Sequence, residues 1–272
     1  MQEVGFVLVR GGGDLGTGVA HALAGAGWRV LVVDLPRPTA LRLSVAFAAA
    51  ALRGWAEVEG RVALRCGERR EVEAAWRAGA IPLWVAPEAR LGLRPLALVD
   101  ARMRGLRGAY PPTRRGEAAW VVGIGPGFTA GDDCDVVIES NRGPRLGAVI
   151  ATGSAEPHTG RPGLVQGHRD ERLLRAPCAG TFVRRLDLGD FVEPGDAVGS
   201  VRGRPVRARL AGMIRGLKLT GTAVGAGHKV GDVDPRRDPA LLLRMTDKAR
   251  AVGRGVVRAL EQAGIARRTA CI

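Results

Sequence analysis

The stretch that leaves this chain the fewest folds is its beginning. Val4-Gly-Phe-Val-Leu-Val9 reads as a buried strand and is followed by Gly11-Gly-Gly13-Asp-Leu-Gly16. Leu15, Val19, Ala22, Leu23 and Ala26 then recur at helical spacing, Gly27 ends that pattern, and Arg29-Val-Leu-Val-Val-Asp34 forms the next strand. A strand, a Gly-x-Gly-x-x-Gly turn, a helix and a second strand, with an acid 23 residues after the first glycine, is the layout of a dinucleotide-binding βαβ unit. Each residue has a task in that reading. Gly11 makes the turn, Gly13 lets a pyrophosphate approach, Gly16 packs the helix, and Asp34 takes a ribose hydroxyl. Asp14 stands at the incoming end of the helix, where it can cap free N–H groups but occupies the field a phosphate would need.

Downstream, Thr39 is placed to cap a helix reaching about Leu52, and Trp55 to Arg65 alternates around Gly60 like a hairpin. Glu68 to Ala78 reads as a helix with Trp76 inward, and Ile81–Val85 and Leu96–Asp100 as strands. Asp100 and Arg102 stand just past a strand end, where open α/β sheets hold ligands, although an Asp-x-Arg pair serves as readily to hold a loop. From Leu106 to Arg115 the composition turns to Gly, Pro and Arg and suits a connector. The expected fold is therefore α/β, a Rossmann-like doubly wound domain over 1–110, with a β-rich C-terminal part.

The central stretch is a second candidate site. Trp120–Ile124 is a strand cut off by Gly125-Pro126-Gly127, and Phe128-Thr129-Ala130-Gly131-Asp132-Asp133-Cys134-Asp135 follows. Gly125, Gly127, Thr129 and Gly131 can bring backbone N–H groups to a ligand, and the equal alternative is a tight β-connection with a solvated acidic turn. Asp132 and Asp133 repel a bare phosphate and make a metal-bearing or polar ligand the better fit, so both are candidates for acid–base work or metal ligation. Asp135–Ser140, Asn141-Arg142-Gly143 and Leu146–Ala151 read as a β-hairpin within a junction segment of 111–170. His158, in the loop that follows, is a weak ligand candidate because a single histidine in a surface loop usually has no such role.

Four cysteines, Cys66, Cys134, Cys178 and Cys271, are spread with no Cys-x-x-Cys pair, which argues against a disulfide frame or a zinc site. Cys134 and Cys178 are the candidate catalytic thiols. The acids flanking Cys134 disfavour its thiolate, whereas Arg175 gives Cys178 a kinder setting. A formal charge of +14 invites a nucleic-acid reading. The cations are scattered among acids, however, and one tyrosine and five phenylalanines offer little to stack on bases, so nucleic acid is not the expected partner. No apolar run is long enough to span a membrane, and the start lacks a basic region followed by a signal core, so a cytoplasmic protein is expected. A homo-oligomer is compatible with all of this.

Residues 179–201 align without gaps to 211–233, with eight identities in 23 positions against roughly two by chance, an internal repeat of one supersecondary unit. Each copy reads Ala-Gly, strand, Gly, short strand, a turn at Gly195 or Gly227, and a closing strand. This pattern resembles the hammerhead of biotinyl and lipoyl domains, a flattened barrel, and sets a third segment at 171–237. The join, Arg202-Gly-Arg-Pro-Val-Arg-Ala208, has no lysine, so no lipoyl or biotin group is expected. Thr246 to Leu260, in a last segment of 238–272, reads as a capped packing helix.

Gly-Gly-Gly-Asp-Leu-Gly-Thr-Gly at 11–18, Gly-Ile-Gly-Pro-Gly-Phe-Thr-Ala-Gly-Asp-Asp at 123–133, Val-Ile-Glu-Ser-Asn-Arg-Gly at 137–143, Gly-Asp-Val-Asp-Pro-Arg at 231–236 and Asp-Lys-Ala-Arg at 247–250, with Arg-Ala-Pro at 175–177 and Arg-Gly-Leu at 215–217, together resemble the YqeB-type family. These are accessory proteins of selenium-dependent molybdenum hydroxylase systems. The N-terminal unit is also similar to the Rossmann part of XdhC-type maturation factors. The resemblance implies a maturation factor with a molybdenum hydroxylase client, binding a dinucleotide or a molybdenum-cofactor nucleotide. Two rival functions are a nucleotide-dependent oxidoreductase and a non-catalytic docking scaffold.

Overall fold

Valine and leucine at alternate positions on both sides of the backbone make strands that must be covered on two faces, and such strands pair in parallel. In the computed structural model, which describes residues 5–86, 88–103 and 111–267, they do. Val4, residues 106–110 of the expected connector, and Cys271 lie outside the described residues. The chain forms two compact units, Met1–Pro38 with Ala46–Thr159 and Met245–Ile272, and Thr39–Val45 with Gly160–Arg244.

The first unit is built on β1 (Val7–Arg10), α1 (Asp14–Gly25), β2 (Val30–Val33), α2 (Ala50–Arg53), β3 (Trp55–Val58), β4 (Arg61–Cys66), α3 (Arg69–Arg77), β5 (Ile81–Trp84), β6 (Ala97–Asp100), β7 (Trp120–Ile124), β8 (Thr129–Ala130), β9 (Val136–Ile138), β10 (Val149–Ile150) and β11 (Gly153–Ser154). Nine of these strands form one sheet in the order β10-β9-β7-β6-β1-β2-β5-β4-β3, while β8 and β11 pair apart. The seven inner strands are parallel, and β3 and β10 close the two edges antiparallel. α4 (Asp247–Gln262) returns from the far end of the sequence to pack beside α1. A Cβ on Gly18 would fall 2.4 Å from the Ala249 carbonyl oxygen, and one on Gly253 would fall 2.3 Å from that of Gly18. Gly18 meets Ala249 and Gly253 while Ala22 meets Gly253, so the two helices run parallel and start side by side.

This corrects the expected Rossmann-like doubly wound domain. The sheet is mixed, and among the described residues only α1 and α3 of its crossovers are helices of more than one turn. Where a helix was expected from Thr39 to Leu52, Leu43–Val45 and Phe47–Ala49 are single 3-10 turns and α2 has four residues. The alanine run Ala46–Ala51 is buried throughout, so it packs as close turns with no polar face to support an amphipathic helix. Between β7 and β9 the chain makes glycine turns. One face is thus covered by α1 and α4 and the other by α3, whose capping box joins Glu68 and Glu71 and whose Trp76 Nε1 donates to the Val30 carbonyl at 2.8 Å.

The second unit contains β12 (Leu173–Arg175), β13 (Gly180–Arg184), β14 (Phe191–Val192), β15 (Ala197–Val201), β16 (Arg204–Arg207), β17 (Gly212–Leu217), β18 (Thr222–Val224) and β19 (Lys229–Asp234). Here too the expectation is corrected. The duplicated stretch forms two separate four-stranded antiparallel sheets, β12-β19-β17-β14 and β16-β15-β13-β18, and not a closed hammerhead-like barrel. The residues expected only to join the two copies form β16, paired to β15, and β12 adds to β19. Each sheet therefore ends on an extra strand. The repeat itself is visible in its glycines: Gly189 and Gly221 (φ +98° and +88°), like Gly195 and Gly227 (φ +97° and +73°), hold the same left-handed turns in both copies. Phe182, Ile214 and Leu217 anchor the shared core.

Candidate functional site

The carboxyl ends of β1 and β6 lie side by side, and the chain leaves them for different destinations, β1 into α1 and β6 into the residue 101–117 region. A crevice at such a divergence is where open α/β sheets keep ligands. The glycine loop forms one lip. Gly11 adopts φ +95°, and a Cβ on Gly16 would sit 1.7 Å from the Gly11 carbonyl oxygen. Gly13 is the N-cap of α1, and no side chain caps that helix. The Gly12 carbonyl accepts from Ala48 N at 2.9 Å and Thr17 Oγ1 at 3.0 Å, and Thr17 Oγ1 accepts from Phe47 N at 2.9 Å. Asp34 closes the loop from the other side: one carboxylate oxygen accepts from Gly12 N at 2.6 Å and the other from Leu35 N at 2.7 Å. Burial raises its pKa above the usual carboxylate value, and the two N–H donors offset part of that rise.

Below this lip lies a cavity of about 710 Å³, walled by Leu8, Val33, Leu35, Val85, Leu91 and Leu98 and reaching Gly11 and Asp34. Its polar side is a network that the sequence reading had only in part. The Asp100 carboxylate, fully buried, is gripped by Arg102 through Nε at 3.0 Å and Nη2 at 2.7 Å, and accepts from Thr113 Oγ1 at 2.7 Å. Thr113 Oγ1 accepts in turn from Arg10 Nη1 at 2.6 Å, and Arg10 pairs with Glu88 at 2.5 Å and Glu117 at 2.6 Å. Burial alone would raise the pKa of Asp100, but Arg102 and Thr113 outweigh it and hold the carboxyl below its usual range. Arg10, Glu88 and the Thr113–Glu117 segment come from three places in the sequence with no shared motif. Only the alternation of Leu8 and Arg10 across β1 hinted that Arg10 faces this side.

At the start of α1 three of the sequence motifs meet. Thr246 caps α4 by accepting from Ala249 N at 3.0 Å and donates to Asp14 Oδ2 at 3.3 Å. The buried Glu139 accepts from Asn141 N at 2.7 Å and Glu156 N at 2.8 Å. Arg142 pairs with Asp247 at 2.8 Å. Lys248 lies among Asp14, Glu139 and Arg142. Burial, and then Arg142, lowers its pKa against the opposing pull of Asp14 and Glu139. The residue spacing of α4 marks it as a packing helix, and nothing in the sequence singles out Lys248.

The central loop is less involved. A Cβ on Gly125 (φ +73°) would meet Ser140 Oγ at 2.3 Å, and neither residue lines the cavity. Gly127 and Gly131 (both φ +97°) hold left-handed turns. Thr129 Oγ1 lies 3.0 Å from Ser154 Oγ, and Thr129 N donates to Asp133 at 3.1 Å. Asp132 is exposed. Among the described residues no group of three His, Cys, Asp or Glu is placed to hold a metal ion, so Asp132 and Asp133 have no third ligand. Cys134 is buried in the core with Phe128 and Ala130, and Cys178 is half-buried with Sγ 3.5 Å from the Val201 carbonyl. Neither lines the cavity. His158 sits on an exposed loop.

Fold and site together define the first unit as an open mixed α/β sheet with a cleft at its carboxyl edge. The chain is 42% identical over 257 residues, 94% of its length, to the uncharacterized protein YqeB of Escherichia coli strain K12, and it spans about half (47%) of that relative. This bears out the YqeB-type resemblance of the motifs, and it says nothing of a client hydroxylase or of XdhC-type factors. No protein-family model matches the chain. Among solved structures, the product-bound ectoine utilization protein of Ruegeria pomeroyi shares 24% identity over 31% of this chain and 27% of its own, with a TM-score of 0.22. An aspartoacylase family protein of Mesorhizobium loti shares 12% over 85% of each chain, with a TM-score of 0.26. A succinylglutamate desuccinylase/aspartoacylase of Rhodobacter sphaeroides shares 11% over 85% of this chain and 86% of its own, also at 0.26. Likenesses this low carry no argument about activity. No helix among the described residues is long and apolar enough to cross a membrane.

Proposed function

We propose that the first unit binds a nucleotide or a nucleotide-bearing cofactor at the carboxyl edge of its sheet, with the ring in the cavity and the sugar hydroxyls on Asp34. The observation that carries this reading is a cavity of about 710 Å³ with apolar walls that ends on a half-buried carboxylate and a glycine loop. That volume lies within the range of about 300–1,000 Å³ typical of small-molecule pockets. Each oxygen of Asp34 has one internal donor, which leaves each a lone pair for a vicinal diol. A dinucleotide and a molybdenum-cofactor nucleotide are the two candidate ligands. The accessory role toward a molybdenum hydroxylase, implied by the motifs, is the context in which the second would be used.

The test is calorimetric titration of the full chain with a panel of ribonucleotides, their 2′-deoxy analogues and a molybdopterin nucleotide. One ribonucleotide-bearing ligand should bind saturably. Its deoxy analogue should bind about tenfold or more weakly, because an unmet hydrogen bond to a buried charged group costs about 1.5–3 kcal/mol. Asp34→Asn, which keeps the shape, should weaken the ribonucleotide and remove the discrimination. Absence of binding by every member of the panel would overturn the reading.

A further inference from the structure

Two carboxylates share one arginine at the polar end of the cavity. Glu88 and Glu117 both line it, each with its side chain 33% exposed, and both are held by Arg10. Glu88 takes the guanidinium as a fork, Oε2 from Nε at 2.9 Å and Oε1 from Nη2 at 2.5 Å. Glu117 accepts from the same Nη2 on Oε2 at 2.6 Å and from Arg114 N on Oε1 at 2.5 Å. Burial alone would raise the pKa of Glu117, but Arg10 and the Arg114 N–H outweigh it and hold the carboxyl below its usual range. Of the other lining cations, Arg102 is taken by Asp100 and Arg94 is exposed to solvent. Arg10, Glu88 and Glu117 together therefore carry one negative charge in excess, facing walls of leucine, valine and proline that cannot solvate it. An ionised carboxyl has about four lone-pair sites, so both glutamates keep acceptor capacity beyond these bonds. This end of the cavity repels an anion and receives N–H donors.

The arrangement of the acceptors narrows the choice of donor. Glu88 Oε1 and Glu117 Oε2 converge on the one Nη2 atom, so they stand as neighbours. In adenine and cytosine the amino group has a ring acceptor beside it, and in uracil the ring N–H lies between two carbonyls; a carboxylate repels each of those lone pairs. Guanine alone among the common bases presents two adjacent donors, N1–H and the 2-amino group, on one edge. We infer that Glu88 and Glu117 are specificity-determining residues that select this 2-amino-lactam edge, one donor to each glutamate, and make the ligand of the cavity a guanine nucleotide. The inference rests on the nucleotide reading above for the place of the ring and sugar, and the recognition of the ring edge is tested apart from it.

The experiment is calorimetric titration of the full chain with the 5′-monophosphates of guanosine, 2′-deoxyguanosine, inosine and adenosine, and with 9-methylguanine, using wild type, Glu88→Gln and Glu117→Gln. Inosine is guanosine without the 2-amino group. Wild type should bind guanosine monophosphate at least about tenfold more tightly than the inosine or adenosine compound, the loss expected when a donor to a charged carboxylate is removed. Each glutamine variant should lower the guanosine-to-inosine ratio towards unity, an effect that a merely structural role for the glutamates would not produce. The wild-type ratio stands by itself should either variant fail to fold. Binding of 9-methylguanine that depends on the glutamates, with no preference for guanosine over deoxyguanosine monophosphate, sustains the edge recognition and removes the sugar contact at Asp34. Nucleotide binding without a preference for guanine overturns the inference and spares the nucleotide reading, as does a guanosine-to-inosine ratio unchanged in both variants. Absence of binding by all five compounds overturns both.

Discussion

Replacing Gly16 by alanine tests whether the glycine loop and α1 are locked together as the packing implies. The added methyl carbon would lie 1.7 Å from the Gly11 carbonyl oxygen and 2.8 Å from its carbon, where ordinary contact begins near about 3.5 Å. Both offending atoms are backbone, so no side chain can swing away and α1 must retreat from the loop by about 1.5 Å or more. Overpacking of this kind costs about 1–3 kcal/mol. The retreat also strains the two hydrogen bonds of Thr17 Oγ1 on α1, to the Gly12 carbonyl and from Phe47 N, each contributing about 0.5–1.5 kcal/mol. The gain in helix propensity returns at most about 1 kcal/mol. The net is a loss of about 2–4 kcal/mol, and at about 2–4 °C per kcal/mol for a unit of this size the melting temperature should fall by about 5–15 °C. Differential scanning calorimetry reads the shift directly. Gly143→Ala is the matched control, since nothing lies within 4 Å of its would-be Cβ. If Gly16→Ala melted within about 1 °C of wild type, the loop and helix would not be in contact as described.

Three further outcomes follow from the same packing and charges. Asp100 and Asp234, both fully buried and ion-paired, have pKa values held below the usual range by arginines. Their stabilisation is therefore complete above about pH 4, the unfolded carboxylate value, and is lost as pH falls through the folded values. Asp100→Asn should lower stability by about 3–5 kcal/mol at neutral pH, because it leaves Arg102 without its counter-charge, and should flatten the acid limb of the melting-temperature profile; an unchanged acid limb would contradict the pairing. In the second unit, Gly199→Ala and Gly231→Ala should cost more than Gly195→Ala and Gly227→Ala, since the first pair would press a methyl carbon to 2.6 and 2.4 Å from carbonyl oxygens while the second pair has only an unfavourable positive φ; urea melts ranking them otherwise would break the equivalence of the two copies. Burial, with Glu71 nearby, pushes the Cys66 thiol up to about 11, so alkylation of a Cys271→Ser protein at pH 8 should reach Cys178 well before Cys66 or Cys134, as peptide mapping would show.

What was legible in the sequence is what depends on neighbours along the chain. The glycine loop, the helix after it, the Trp55–Arg65 hairpin, the Glu68–Ala78 helix and the Thr246 cap are each written within a few residues of one another. The repeat was equally readable, because the left-handed turns at Gly189/Gly221 and Gly195/Gly227 admit few other residues. What could not be read is which segments come back to the sheet. Nothing local in Thr246–Leu260 says that α4 starts beside α1, because that depends on two glycines 235 positions apart, Gly18 and Gly253, removing their side chains at the same contact. Nor does any spacing link Arg10 to Glu88, Thr113 and Glu117. The expectation of a doubly wound domain failed for a related reason: the apolar stretch Ala46–Ala51 carries no periodicity to separate a helix from buried turns, and its neighbours decided.

The crevice between β1 and β6 sets what a ligand there must satisfy at once. Its apolar walls, among them Leu8, Val33, Leu91 and Leu98, suit a ring, and Asp34, with one donor on each carboxylate oxygen, offers acceptors beside them. On the proposed nucleotide reading the ring and the sugar meet these groups, so the parent nucleoside and its diphosphate should lose affinity in Asp34→Asn by the same factor, to within about twofold. Calorimetric titration of both ligands against wild type and Asp34→Asn reads the two ratios. A loss confined to the diphosphate would mean that Asp34 acts through the phosphates and not through the sugar.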